Sequence, residues 1–135
     1  MIKPLRGYVY NFRKAGAPSK VLAPPYDSIS GKEQAVLENK SPHNIVRLVL
    51  GREKKGDTGR ENKYTRARNL FQEWIENGVL IREEIPTFYY YVQDFQMDSS
   101  TRGQREGLLA RMRIADFQER KILPHERTLR KPQKD

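Results

Sequence analysis

The spacing of apolar and polar positions predicts two helices. Ser30 followed by Glu33 fits a capping box, in which a hydroxyl and a carboxylate satisfy free amides at a helix start, so a helix is predicted over 31–39. A second helix is predicted over 61–76, with Gly78 as its C-terminal signal. Its apolar stripe consists of Tyr64, Ala67, Leu70, Phe71, Trp74 and Ile75. Because such a stripe faces a core, we expect Trp74 to be largely buried.

Four β-rich runs predict the strands. Residues 2–12 contain several β-formers, and residues 44–50 are almost wholly apolar, as is typical of a central strand covered on both faces. Residues 87–97 and 104–114 flank a polar turn that contains Gly103, which predicts an antiparallel hairpin. The early alternation of strands and helices favours parallel pairing. The predicted fold class is therefore α+β, with a mixed or antiparallel sheet and helices packed mainly on one face.

Length and composition limit the class of protein. The chain has 135 residues, of which 36% are hydrophobic, so we expect a single α+β domain over 1–126 and a polar basic tail over 127–135. The absence of cysteine rules out disulfides, thiolate metal sites and a cysteine nucleophile. No apolar run suits a membrane span or a signal peptide, so the expected localisation is cytoplasmic, without membrane contact.

The formal charge of +9 raises the question of a nucleic-acid partner. Basic side chains exceed acidic ones in 1–20, 51–68 and 118–135, whereas 69–100 is acidic. The positive charge is thus scattered, and no helix-turn-helix, zinc-finger or ribonucleoprotein motif focuses it. Nucleic acid is therefore not the expected partner, although a basic binding module for an acidic partner or nucleic acid remains the alternative function.

The pair His125-Glu126 is the strongest candidate for acid–base chemistry in the sequence. An imidazole beside a carboxylate can do acid–base work near neutral pH, where histidine titrates. The competing interpretation is a solvated pair in a basic tail. Two histidines in the whole chain do not make a metal cluster, so no metal site is predicted.

Tyr26 and Asp27 follow two prolines, which fix the backbone and predict an extended or turning segment. The carboxylate of Asp27 is expected to cap the turn that follows, and physical chemistry favours this role. Alternatively, Asp27 presents its carboxylate to a hydroxyl group or to a metal-bound nucleotide.

Arg47 interrupts the apolar run 44–50. An unpaired guanidinium inside a strand is costly to desolvate, so Arg47 must reach a carboxylate, a phosphate or solvent. An ion pair with an acidic residue of 69–100 is slightly favoured over a phosphate.

Three segments carry a resemblance to a known family: Ala-Pro-Pro-Tyr-Asp-Ser-Ile-Ser at 23–30, Asn-Ile-Val-Arg-Leu at 44–48 and Leu-Pro-His-Glu-Arg-Thr at 123–128. In this order the chain resembles the N-terminal part of the prokaryotic family called domain of unknown function 1015. Members of that family are considerably longer than this chain. Their central Asp-Gly-His-His-Arg segment is similar to the nucleotide-handling motif of the ParB/sulfiredoxin superfamily, which includes kinases that phosphorylate free serine.

The resemblance implies the N-terminal region of a nucleotide-dependent small-molecule kinase, with serine as one candidate substrate. It implies catalytic roles for Asp27, His125 and Glu126, and nucleotide contacts from Arg47 and Tyr26. The implied cofactor is a nucleotide with Mg in the full-length protein.

The chain lacks both a Gly-rich phosphate loop and the Asp-Gly-His-His-Arg segment. We therefore expect the isolated chain to have no kinase activity. We also expect self-association through an apolar surface that the rest of the family domain would cover.

Overall fold

A computed structural model describes residues 2–96 and 101–123. The chain divides into two compact units, one being Arg6–Thr87 and the other the described residues of Met1–Leu5 and Phe88–Asp135. The predicted tail, 127–135, lies outside the described residues, and the single domain over 1–126 remains a prediction. None of the described helices has the length and apolar character needed to cross a membrane.

In the described residues two short strands are followed by five α-helices and then by four strands. In chain order they are β1 (Ile2–Lys3), β2 (Tyr8–Tyr10), α1 (Phe12–Ala15), α2 (Pro18–Val21), a 3₁₀ turn (Tyr26–Ser28), α3 (Gly31–Lys40), α4 (Val46–Val49), α5 (Lys63–Glu76), β3 (Leu80–Arg82), β4 (Tyr89–Gln96), β5 (Arg102–Leu109), β6 (Arg111–Met112) and a second 3₁₀ turn (Phe117–Glu119).

The predicted α+β class is confirmed. The described strands form three two-stranded antiparallel ribbons, which pair β1 with β6, β2 with β3, and β4 with β5. The predicted hairpin is the β4–β5 ribbon, whose register runs from Tyr89 opposite Leu109 to Gln96 opposite Arg102. No parallel pair occurs among the described strands, because the segment expected to supply it is helical.

The core of the Arg6–Thr87 unit is small and is built around Trp74. The indole is 2% exposed, so the predicted burial of Trp74 is confirmed. It packs with four other buried residues, which are Ala15, Val21, Val79 and Leu80. The Tyr10 ring lies 6.1 Å from the indole, and the Tyr10 hydroxyl donates a hydrogen bond to the His43 carbonyl at 2.8 Å.

Both predicted helices are present, α3 with the N-terminal cap expected from the sequence and α5 starting two residues later than expected. The Ser30 hydroxyl accepts from the Glu33 amide, and the Glu33 carboxylate accepts from the Ser30 amide, so the capping box of α3 is complete. The α5 helix starts with a reciprocal pair between Asn62 and Thr65. Just past its C-terminal end, Gly78 adopts a positive φ of 66°, a conformation that favours glycine.

The strand predicted over 44–50 is wrong, because Val46–Val49 forms the helical turn α4. The cause is the fully buried side chain of Asn44. Its amide donates to the carbonyls of Lys20 at 2.8 Å and Leu22 at 3.2 Å, and its oxygen accepts from the Val46 amide at 3.0 Å. These bonds fix a turn where the apolar pattern alone suits a strand.

The single strand predicted over 2–12 is also wrong in its extent. It is divided into β1 and β2, which belong to different ribbons, and Phe12 already starts α1. The Asn11 side chain accepts from the Arg13 amide at 3.2 Å and thereby caps that helical turn.

Candidate functional site

Tyr26 and Asp27 lie in the 3₁₀ turn that follows the two prolines. The turn is closed by Ser28, whose amide and hydroxyl both donate to the Pro25 carbonyl, at 3.0 Å and 2.8 Å. Tyr26 is 60% exposed and Asp27 is exposed as well. The capping role expected for Asp27 is wrong, because Ser30 caps the next helix and the Asp27 carboxylate makes no hydrogen bond within 2–96 and 101–123.

Arg47 projects from α4 towards the C-terminal end of α3. Its Nη2 donates to the Glu38 carbonyl at 2.6 Å and its Nε to the Ser41 carbonyl at 3.4 Å. The ion pair that the sequence favoured is therefore not formed with any acidic residue of 69–96, and Asp98 lies outside the described residues. The guanidinium instead satisfies free carbonyls at a helix end, where the helix dipole also favours a cation.

Arg47 also lines a cavity that is rich in cations. The cavity has a volume of about 220 Å³ and lies between the start of α5 and the loop that leads into it. Five of the nine lining residues are basic: Arg47, Arg52, Lys54, Lys63 and Arg66. Ala67 and Leu70 of α5 and Gly51 of the loop supply an apolar part of the wall.

Three of these cations are paired with carboxylates. Arg66 makes a bidentate pair with Asp57 at 2.6 and 2.9 Å, which is the strongest geometry in the group. Arg52 Nε reaches both carboxylate oxygens of Glu38 at 2.9 and 3.0 Å. Lys63 binds Glu53 at 3.0 Å.

The electrostatics of these pairs favour the charged forms. The hydrogen bond from Arg66 lowers the pKa of Asp57 to about 2, with a further contribution from the Lys54 amide. The hydrogen bond to Glu53 raises the pKa of Lys63, and the bond to Asp57 raises the pKa of Arg66. Asp57, Lys63 and Arg66 are consequently charged at neutral pH.

Two cations of the cavity make no hydrogen-bonded ion pair in the part of the chain that the structure describes, although the charge of Lys54 also acts on Asp57. Arg47 is bound to carbonyls, and the Lys54 ammonium makes no hydrogen bond there. Arg52 uses only its Nε, so both of its terminal nitrogens are also unpaired within the same ranges. The cavity thus offers several unused donors and an excess of positive charge, which together suit an anion.

The loop is held firmly against α5. The Arg66 guanidinium donates to the Arg52 carbonyl at 2.8 Å, so it binds the loop at two points. Gly51 lies so close to α5 that a Cβ at this position would be 3.2 Å from both the Cβ and the carbonyl oxygen of Lys63. These contacts restrain the backbone of the loop, so Arg52 and Lys54 are held at the cavity.

The site residues predicted from the sequence do not all share this cavity. Arg47 lines it, whereas Tyr26 and Asp27 do not. His125 and Glu126 lie outside the described residues, so their predicted roles stay predictions. Sequence reasoning assigned no role to Arg52, Lys54, Lys63 or Arg66. The available signal was the basic excess of 51–68, which marks the segment but not its geometry.

The comparison with protein families agrees with the motifs. A family model described as "Protein of unknown function (DUF1015)" matches residues 2–135. The chain belongs to this family. No curated protein and no solved structure matches the chain.

Proposed function

We propose that this chain is the phosphate-holding region of a nucleotide-dependent small-molecule kinase, with the phosphate group bound in the basic cavity. The observation that carries the proposal is the convergence of five basic side chains from α4, α5 and the intervening loop on one small cavity. Arg52 and Lys54 supply donors that no described group uses. Phosphate oxygens are strong acceptors for guanidinium and ammonium donors of this kind.

The size of the cavity supports a phosphate group as the bound moiety. Its volume of about 220 Å³ falls below the roughly 300–1,000 Å³ of pockets that enclose a whole drug-sized ligand. The cavity therefore suits the phosphate end of a nucleotide, while the base and sugar extend beyond it. Arg47 lines the cavity, which supports the nucleotide contact proposed for it.

The kinase part of the proposal rests on the motif resemblance to the DUF1015 family, whose longer members carry a segment similar to the ParB/sulfiredoxin nucleotide motif, with a free amino acid such as serine as the candidate acceptor. Asp27, His125 and Glu126 remain the predicted catalytic groups. Among the described residues no cluster of three acidic or histidine side chains is arranged to hold a metal ion.

Titration calorimetry of the 135-residue chain with pyrophosphate, ADP and adenosine tests the proposal. We expect pyrophosphate and ADP to bind and adenosine not to bind. Lys54→Gln should weaken both affinities about fivefold, the upper end for one exposed charge pair. Lys55→Gln is the matched control, because Lys55 is adjacent and exposed but does not line the cavity.

Equal effects of Lys54→Gln and Lys55→Gln would show that binding follows net charge alone. The alternative function of a basic module would be favoured by a second result. In that case a short single-stranded oligonucleotide would bind more tightly than ADP, and Lys54→Gln and Lys55→Gln would weaken its binding equally. Phosphoryl transfer to serine by the isolated chain, abolished by Asp27→Ala or His125→Ala, would contradict the expectation that this chain alone is inactive.

A further inference from the structure

A second cavity lies on a different side of α3 and shares no lining residue with the basic cavity. Its volume is about 470 Å³, within the roughly 300–1,000 Å³ typical of ligand pockets. One wall is the segment after α2, including Leu22, Pro24 and Ile29, and the other is α3 with Val36 and Leu37.

The apolar walls of this cavity are open to solvent. Leu22 is 53% exposed and Val36 is 58% exposed, although both are aliphatic side chains that gain free energy when covered. Leu37 is buried at the base of the wall, at 7% exposure, and so anchors α3 to the rest of the unit. The cavity is thus a shaped apolar groove rather than a single exposed side chain.

Opposite charges stand at the two ends of the groove. Glu33 and Lys40 both line it, and they are seven residues apart on the same helix. Seven residues of α-helix correspond to about 10 Å along the axis. Val36 and Leu37 lie between them on the same face of α3. This face therefore presents an anion, then two apolar side chains, then a cation.

Both charges have capacity left for a ligand. Glu33 accepts from the Ser30 amide through Oε2, and the amide and side chain of Ser30 lower the pKa of Glu33, so its exposed carboxylate stays ionised. The Lys40 ammonium has no carboxylate partner within 2–96 and 101–123. Each charge also complements the helix dipole, because Glu33 lies in the first turn of α3 and Lys40 in the last. The dipole explains the sign of each charge but does not explain the apolar groove between them.

We propose that this groove binds a short apolar peptide with free termini, its ammonium at Glu33 and its carboxylate at Lys40. Charge complementarity determines the orientation of the peptide, and the distance between Glu33 and Lys40 determines its length. About three extended residues at roughly 3.4 Å each span the distance between the two charges. The apolar side chains of the peptide cover Leu22 and Val36, which supplies the non-directional part of the affinity.

The test uses the tripeptide valyl-alanyl-valine and the full 135-residue chain, with the methyl signals of Val36 and Leu37 followed by NMR titration. We expect saturable shifts of these methyl signals. Acetylating the peptide's amino group or amidating its carboxyl group should each weaken binding between about 2- and 5-fold, as for an exposed ion pair.

Two substitutions assign each charge of the peptide to its partner. Glu33→Gln removes the charge but keeps an acceptor for the capping box, so α3 should stay intact. In this variant acetylation of the peptide should have no further effect, whereas amidation should still weaken binding. Lys40→Gln should show the reverse pattern, and Lys32→Gln, on the same helix but not lining the groove, should behave as the parent chain does.

Absence of saturable shifts would overturn the proposal. Equal affinity for the free peptide and the peptide blocked at both ends would also overturn it. The same holds if Glu33→Gln and Lys40→Gln lower the affinity for the peptide no more than Lys32→Gln does. Because the basic cavity shares no residue with the groove, these results leave the phosphate proposal untouched, and failure of phosphate binding leaves this one untouched.

Discussion

Replacing Asn44 with alanine should remove the polar bridge that joins the start of α4 to the end of α2. The side chain is completely buried and makes three hydrogen bonds to backbone groups. In Asn44→Ala the carbonyls of Lys20 and Leu22 and the amide of Val46 lose this partner together. Alanine supplies nothing in exchange.

The expected loss of unfolding free energy follows from those three groups. A buried polar group left without its partner costs about 1–3 kcal/mol, and some of this cost is recovered when water enters the space left by the side chain. We therefore expect a loss of about 3 kcal/mol. This is a large share of the roughly 5–15 kcal/mol that stabilises a typical domain.

Urea unfolding followed by the fluorescence of Trp74 measures this loss, because Trp74 is the only tryptophan in the chain and lies in the core of the same unit. Asn69→Ala is the matched control, since Asn69 is an exposed residue of α5. The control should change stability by no more than about 0.5 kcal/mol.

Asn44→Asp separates the hydrogen bonds from the volume of the side chain. A carboxylate still accepts from the Val46 amide, but it cannot donate to the carbonyls of Lys20 and Leu22. We expect it to be at least as destabilising as alanine at neutral pH. A loss below about 1 kcal/mol in Asn44→Ala, or an aspartate variant as stable as the parent chain, would refute the reasoning.

Three further predictions concern stability and pH. Burial raises the pKa of Tyr10 from 10.0 to about 12, so the chain should lose stability as pH rises from 10 to 12; Tyr10→Phe should flatten this part of the profile in fluorescence-monitored unfolding. The pKa of Asp57 is lowered from 3.8 to about 2 by Arg66, so its contribution should be lost as pH falls from 4 to 2; Asp57→Asn should flatten the acid limb measured in the same way. Gly51→Ala should lower Tm and weaken pyrophosphate binding, because its Cβ would press on the Lys63 carbonyl; an unchanged Tm in a thermal melt would contradict the close approach.

Local sequence signals predicted the elements that local contacts determine. The capping pair Ser30 and Glu33 lies within one helical turn, and the stripe around Trp74 lies within one helix, so both could be recognised without tertiary information. The hairpin was predictable for the same reason, since its two strands, β4 and β5, are separated by only the five residues 97–101; Gly103, which was expected in the turn, lies in β5 opposite Phe95. In each case the deciding residues are neighbours in the chain.

The error at 44–50 has a non-local cause. Short apolar runs suit a buried strand or a buried helix equally well, and periodicity does not separate the two. The residue that decides is Asn44, and its partners Lys20 and Leu22 are more than twenty positions earlier. Tertiary hydrogen bonding thus overrides the β-propensity of the run.

The candidate site was predicted only in part for a similar reason. The basic excess of 51–68 was visible in the sequence, and Arg47 was recognised as a cation in an apolar setting. Their convergence depends on the α4 turn, the loop and α5 meeting at one cavity. No local pattern encodes that meeting, so Arg52 and Lys54 carried no signal of their own.

The most direct test of the phosphate site is an NMR titration of the arginine side-chain signals with pyrophosphate. The structure leaves the terminal nitrogens of Arg52 unused by any described group, and it places them at the cavity. We predict saturable shifts of the Arg52 guanidinium signals, while those of Arg68, an exposed α5 residue that does not line the cavity, stay unchanged. Unchanged Arg52 signals at saturating pyrophosphate, or equal shifts for both arginines, would contradict the account.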